Sequence, residues 1–111
     1  MNELDKLRKM LDEAEIPYED VREEMPDVTD FAQKMFGEAA KWKRNQVIYG
    51  GKRGGHWYWD GICQYGSYGA GRGLIETYGT IGWDAKHCPQ VMNAEEAFAV
   101  ISADWEKRRG K

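Results

Sequence analysis

The sequence predicts an α+β domain: a three- to four-stranded antiparallel sheet with N-terminal and C-terminal helices packed on one face. Apolar stripes of helical period mark both ends of the chain, at Leu4, Leu7, Leu11 and Ala14, and at Ala94, Ala97, Phe98, Ile101 and Trp105. Between them, eleven of the thirteen glycines fall in residues 50–82, among Trp57, Tyr58, Trp59, Tyr68 and Tyr78. Glycine disfavours helix, and aromatics flanked by it favour strands and turns. The 111 residues suit one domain, divided into a helical acidic part over 1–43, a Gly/aromatic-rich sheet over 44–84 and a helix over 93–109.

The first helix should run near 3–15, with Asn2 as its N-cap. Pro17 disfavours helical dihedrals at Ile16 and stops it there. Residues 16–21 then read as extended, with the proline tolerated on a sheet edge. After Pro26, Asp27 can cap a second helix carrying Val28, Phe31, Met35 and Phe36, ending at Gly37 or continuing to Trp42.

Strands are predicted at 45–49, 56–65 and 74–78, each closed by a Tyr-Gly pair and joined by connections of about six or seven residues. Along 56–65, alternation puts Trp57, Trp59, Gly61, Cys63 and Tyr65 on a buried face. His56, Tyr58, Asp60, Ile62 and Gln64 take a partly wet one. Asn93 and Glu96 have capping-box spacing ahead of the last helix, whose final turn carries Lys107, Arg108 and Arg109. Trp42, Trp57, Trp59 and Trp105 are expected to supply most of the core.

Composition excludes several classes. With 41% hydrophobic and 13% aromatic residues, the chain is not disordered throughout. No apolar run reaches the roughly 18 residues of a membrane span. The first residues are acidic and amphipathic, unlike a signal peptide, and two cysteines then fit a reducing cytoplasm as free thiols.

The net charge of −3 conceals an asymmetry: residues 1–30 carry −7 and residues 31–111 carry +4. Such a dipole steers charged partners. The acids Glu15, Glu19, Asp20, Glu23, Glu24 and Asp27 form the candidate partner-binding surface, suited to a basic groove on another protein.

A second candidate is the loop over 66–73. Its glycines can turn N–H groups toward an anion, with Ser67, Tyr68 and Arg72 as ligand-binding residues for a nucleotide or other small anion. The loop leads into a strand, however, whereas phosphate loops lead into a helix.

Metal binding would have to use His56, Cys63, His87 and Cys88, which lack paired-ligand spacing. No metal or cofactor is expected. Asp60 and Glu76, on neighbouring strands, are the one acid–base pair in view, and no nucleophile has a recognised setting, so enzymatic activity is not expected. Stacking of single-stranded nucleic acid on Trp57, Tyr58 and Trp59 beside Lys52 and Arg53 is a third reading, disfavoured by the overall acidity.

The runs Arg44-Asn45-Gln46-Val47-Ile48-Tyr49-Gly50, Trp59-Asp60-Gly61-Ile62-Cys63-Gln64-Tyr65-Gly66-Ser67-Tyr68-Gly69 and Gly73-Leu74-Ile75-Glu76-Thr77-Tyr78-Gly79 resemble a group of small uncharacterised proteins of clostridial-type (Firmicute) phages and prophages. The opening Leu7-Arg8-Lys9-Met10-Leu11-Asp12-Glu13-Ala14 and Ile16-Pro17-Tyr18, and the closing Asn93-Ala94-Glu95-Glu96-Ala97-Phe98, are similar too. The resemblance carries no catalytic residues. It implies expression inside a bacterial host, where small accessory proteins act by binding a host protein or by sequestering a host ligand.

Overall fold

The computed structural model describes residues 2–24, 34, 43–64, 67–82 and 90–109. The expected second helix from Asp27, with Trp42, lies outside these residues apart from Lys34.

Helix α1 spans Glu3–Glu13, and the Asn2 side chain accepts from the Asp5 N–H at 2.8 Å, as the N-cap reading requires. Its end is sharper than Pro17 alone would make it. Glu15 takes a left-handed φ of 56°. Its N–H donates to Asp12 O at 3.1 Å while that of Ile16 donates to Leu11 O at 3.0 Å. This is the paired C-cap in which a left-handed residue turns the chain and the next apolar one packs back on the helix. Leu11 and Ile16 are both in the core.

Among the described residues five strands follow, against the three or four expected, in the order β1-β2-β3-β4-β5 with every neighbouring pair antiparallel. They are β1 (Glu19–Glu24), β2 (Lys43–Arg53), β3 (His56–Ile62), β4 (Ile75–Gly79) and β5 (Gln90–Met92). The edge strand β1 starts beyond Pro17 and extends past the expected residue 21. With only three residues, β5 is too short to show an alternation.

Tyr49-Gly50 does not close β2. The register shifts between Tyr49 and Lys52, a bulge that lets the strand run on to Arg53. Gly54 and Gly55, both at positive φ, make a two-residue turn to β3 in place of the longer connection expected.

Helix α2 spans Ala94–Arg109. Its capping box is present: Glu96 N–H donates to Asn93 Oδ1 at 2.8 Å and Asn93 N–H to Glu96 Oε1 at 3.1 Å. Glu3 also accepts from the Ala94 N–H at 2.9 Å, so α1 supplies a carboxylate to the positive end of α2. That hydrogen bond, followed by Lys6, holds the Glu3 carboxyl below its usual range.

Both helices cover one face of the sheet. Leu4, Leu7, Leu11, Ala97 and Ile101 pack with Val47, Trp59 and Ile75, all inaccessible to solvent. Of the four core tryptophans expected, Trp59 alone is seen fully buried, Trp57 and Trp105 are half-buried, and Trp42 is not described. The indole of Trp59 lies across Gly61, where a Cβ would sit 2.7 Å from Trp59 and from Ile75. The other face also buries side chains, namely Val21, Gln46, Ile48 and Asp60. Asp60 therefore departs from the wet position expected of it.

Candidate functional site

The C-cap of α1 throws the chain outward at Glu15 and returns it at Ile16, so Pro17 and Tyr18 stand as a ridge before β1. A groove lies on each side of this ridge. The first, about 490 Å³, has Leu11 and Ile16 beside the carboxylates of Asp12, Glu15 and Asp20. Tyr18 donates its phenol to Asp12 Oδ1 at 2.9 Å. Burial, and then that carboxylate, push the Tyr18 hydroxyl up to about 12. The phenol thus remains a donor at neutral pH.

Asp20 is anchored from beneath. Arg8, only 3% exposed, reaches it through Nε at 2.9 Å while binding Asp5 at 3.0 Å and Asn45 at 2.6 Å. Arg22 adds a contact to the same Asp20 oxygen at 3.2 Å. Of the candidate acids, Glu15 and Asp20 line the first groove and Glu19 the second. Glu23 and Glu24 continue β1, and Asp27 lies outside the described residues. The turn at Glu15 thus brings together acids that are scattered in sequence.

The second groove, about 420 Å³, is mostly apolar, with Ile48, Tyr49 and Trp105 facing Pro17 and Tyr18. Behind it, the phenols of Tyr49 and Tyr58 donate to the two oxygens of Asp104. Arg108 Nε donates to Asp104 Oδ2 at 3.0 Å, and its guanidinium lies 4.4 Å from the Tyr58 ring centroid and 5.4 Å from that of Tyr49. Burial first, then Asp104, raise the Tyr49 hydroxyl well above its usual range. Trp105 Nε1 and Arg108 Nη2 are buried and find no acceptor among the described residues. Leaving a buried donor unpaired costs about 1–3 kcal/mol. The Asp104–Arg108 spacing of four was visible as a helix pair, but its two tyrosine partners come from β2 and β3 and had no signal in sequence.

The glycine loop is closed on itself. Gly69 and Gly73, both left-handed, bracket a 3-10 turn at Ala70–Arg72. The N–H groups of Ser67, Ala70, Arg72, Gly73 and Leu74 all donate to carbonyls of residues 64–70. That of Tyr68 donates to Glu76 Oε1 at 2.9 Å, so a carboxylate of the chain already occupies it. The Ser67 hydroxyl donates to Gln64 O and accepts from Gln64 N–H. Tyr68 and Arg72 stand exposed beside this turn.

On the sheet face opposite α1 and α2, Gln46 receives two bonds from Arg44 and donates to Asp60 Oδ2 at 2.8 Å. Asp60 and Glu76 lie diagonally across β3 and β4. Burial holds the Asp60 carboxyl above the usual carboxylate range, the Gln46 bond opposing the rise and Glu76 adding to it. His56 and Cys63, seven apart on β3 and its extension, point to opposite faces. His87 and Cys88 lie outside the described residues, among which no group of three metal-ligating side chains gathers. Trp59 is closed to stacking by its burial, while Lys52 lies over the Trp57 ring at 4.7 Å. No helix among the described residues is long and apolar enough to cross a membrane. Comparison with family models, with curated proteins and with solved structures finds no match.

Proposed function

We propose that the protein is a non-catalytic binding module that takes a basic segment of another protein at the Pro17–Tyr18 ridge. One observation carries this reading: Asp12, Glu15 and Asp20 line one groove together with the exposed Pro17 and the half-buried Tyr18. An apolar wall of Pro17 and Tyr18 beside carboxylates fits the stem and head of a lysine or arginine. Within that reading, the resemblance to phage and prophage proteins makes the partner a host bacterial protein, modulated or inhibited by occupation of its basic surface.

Bacterial lysate passed over the immobilised protein tests the proposal. The wild type should retain a basic partner, and retention should fall as salt shortens the screening length to about 10 Å and below. The double reversal Glu15→Lys and Glu19→Lys should lose that partner while melting nearly as the wild type does, because exposed charges contribute little to stability. Equal recovery by wild type and reversal would overturn the assignment.

A further inference from the structure

The sheet has an edge at β1, and the strand register identifies which of its main-chain groups face outward. On the β3 side of β2, the Cys63 N–H donates to Asn45 O at 3.1 Å and the Asn45 N–H donates to Gln64 Oε1 at 3.0 Å. Asn45 therefore turns its main chain toward β3. By the alternation of an antiparallel ladder, Arg44, Gln46 and Ile48 turn theirs toward β1. Their partners Glu23, Val21 and Glu19 are then the residues that bond to β2. The N–H and C=O groups of Asp20 and Arg22, lying between them, point away from the sheet. Both residues are exposed, and no outward main-chain bond joins either of them to another described residue.

We infer that this edge takes the basic segment as an added strand, hydrogen-bonded to the main chain of Asp20 and Arg22. The inference rests on the function proposed above and deepens it to a mode of binding. Asp20 belongs to both features: its residue lines the first groove, and its main chain begins the open row. A segment with a basic side chain in that groove is thereby alongside β1.

Charge selects the occupant. Strand β1 carries Glu19, Asp20, Glu23 and Glu24 against one base, Arg22. That composition opposes edge-to-edge pairing with a second copy of this chain, because like charges facing across strands repel. Arg8 and Arg22 already compensate Asp5 and Asp20, whereas Asp12, Glu15 and Glu19 have no ion pair among the described residues. A strand rich in lysine or arginine meets this excess of carboxylate, and an acidic strand is repelled by it. In strand addition the main-chain bonds supply affinity, and side chains choose among segments.

Hydrogen exchange of the full chain, read by nitrogen–proton NMR with a blocked heptapeptide alternating lysine and threonine, tests the inference. In the free protein the Val21 amide should exchange slowly and those of Asp20 and Arg22 fast. Saturating peptide should slow the latter two, and replacing its lysines by glutamine should abolish the effect. Two N-methylated peptides, one modified on its internal lysines and one on its threonines, probe the main chain directly. Only one set of N–H groups can face β1, so one analogue should bind about tenfold or more weakly and the other nearly as the parent does. If the peptide binds through its lysines while the Asp20 and Arg22 amides still exchange fast, or the two methylated peptides behave alike, the edge is refuted and the basic-segment proposal stands. If glutamine replaces lysine without loss, that proposal fails and the inference with it. Protection of the two amides that grows with protein concentration in the absence of peptide would make the occupant a second copy and overturn the inference. Absence of binding by every peptide at millimolar concentration overturns both.

Discussion

Two arginines fasten the two helices to the same sheet, and they do it in opposite ways. Arg8 of α1 is shut in, its guanidinium shared among Asp5, Asp20 and Asn45. Arg108 of α2 keeps about a third of its side chain exposed, stacks on two tyrosines and leaves one buried nitrogen without an acceptor among the described residues. A clamp satisfied on every side stabilises and offers nothing to a partner. A buried donor left without an acceptor costs stability. The fold uses Arg8 in full, while Arg108 is left with one nitrogen unpaired among the described residues.

The largest effect should come from opening the satisfied clamp. Arg8→Ala removes three side-chain hydrogen bonds and a buried stem, and should destabilise by about 3 kcal/mol, somewhat below the cost of breaking a fully buried ion pair because Asp5 and Asp20 reach water. Denaturant titration measures it, and a loss under 1 kcal/mol would erase the contrast with Arg108. Trp105→Ala should cost about 1–2 kcal/mol, less than a core tryptophan, because the ring is half-buried and its N–H finds no acceptor among the described residues.

Asp60 lies between these extremes, buried with one amide donor from Gln46. Its carboxyl is harder to ionise in the folded chain than in the unfolded one. The folded state therefore holds the proton more tightly, and stability falls as pH rises from the ordinary carboxylate value through the higher folded one. Asp60→Asn should remove this slope and be the more stable protein at pH 7, with the advantage gone once pH falls below the ordinary carboxylate value. Parallel melting curves across that window would expose an error of sign.

Arg108→Gln should change stability by less than about 1 kcal/mol, since it gives up a partly exposed pair and also removes an orphaned donor. A loss as large as that of Arg8→Ala would make Arg108 a second clamp. The smallest effect should be a gain. Glu15→Gly relieves a left-handed side chain and should stabilise by about 0.5–1 kcal/mol, while removing a carboxylate from the first groove. Stability rising as affinity for the basic segment falls would show that the strain is kept for recognition.

Much of the fold was legible locally. Asn2, Asn93 and Glu96 announce their caps because capping is a contact over three residues. The leucine stripe of α1 announces its buried face because helical period is local too. The short β5 and the bulge after Tyr49 were not legible, since strand length is decided by pairing and not by the strand's own residues. Nor was it legible that Trp57 and Trp105 would be only half-buried. Trp59 alone is seen fully enclosed, because the uncovered backbone of Gly61 receives it.

The sequence by itself determined the two terminal helices, their caps, the glycine–aromatic sheet between them and the acidic character of the first thirty residues. Only the tertiary structure decided that Glu15, Asp20 and Tyr18 share one groove, and that Tyr49, Tyr58, Asp104 and Arg108 meet behind another. Caps and stripes arise from interactions within a few residues, whereas a groove needs surfaces separated by up to about ninety positions to meet, here Pro17 and Arg108. Long-range closure of that kind is set by how a whole sheet pairs, which no short window of sequence encodes.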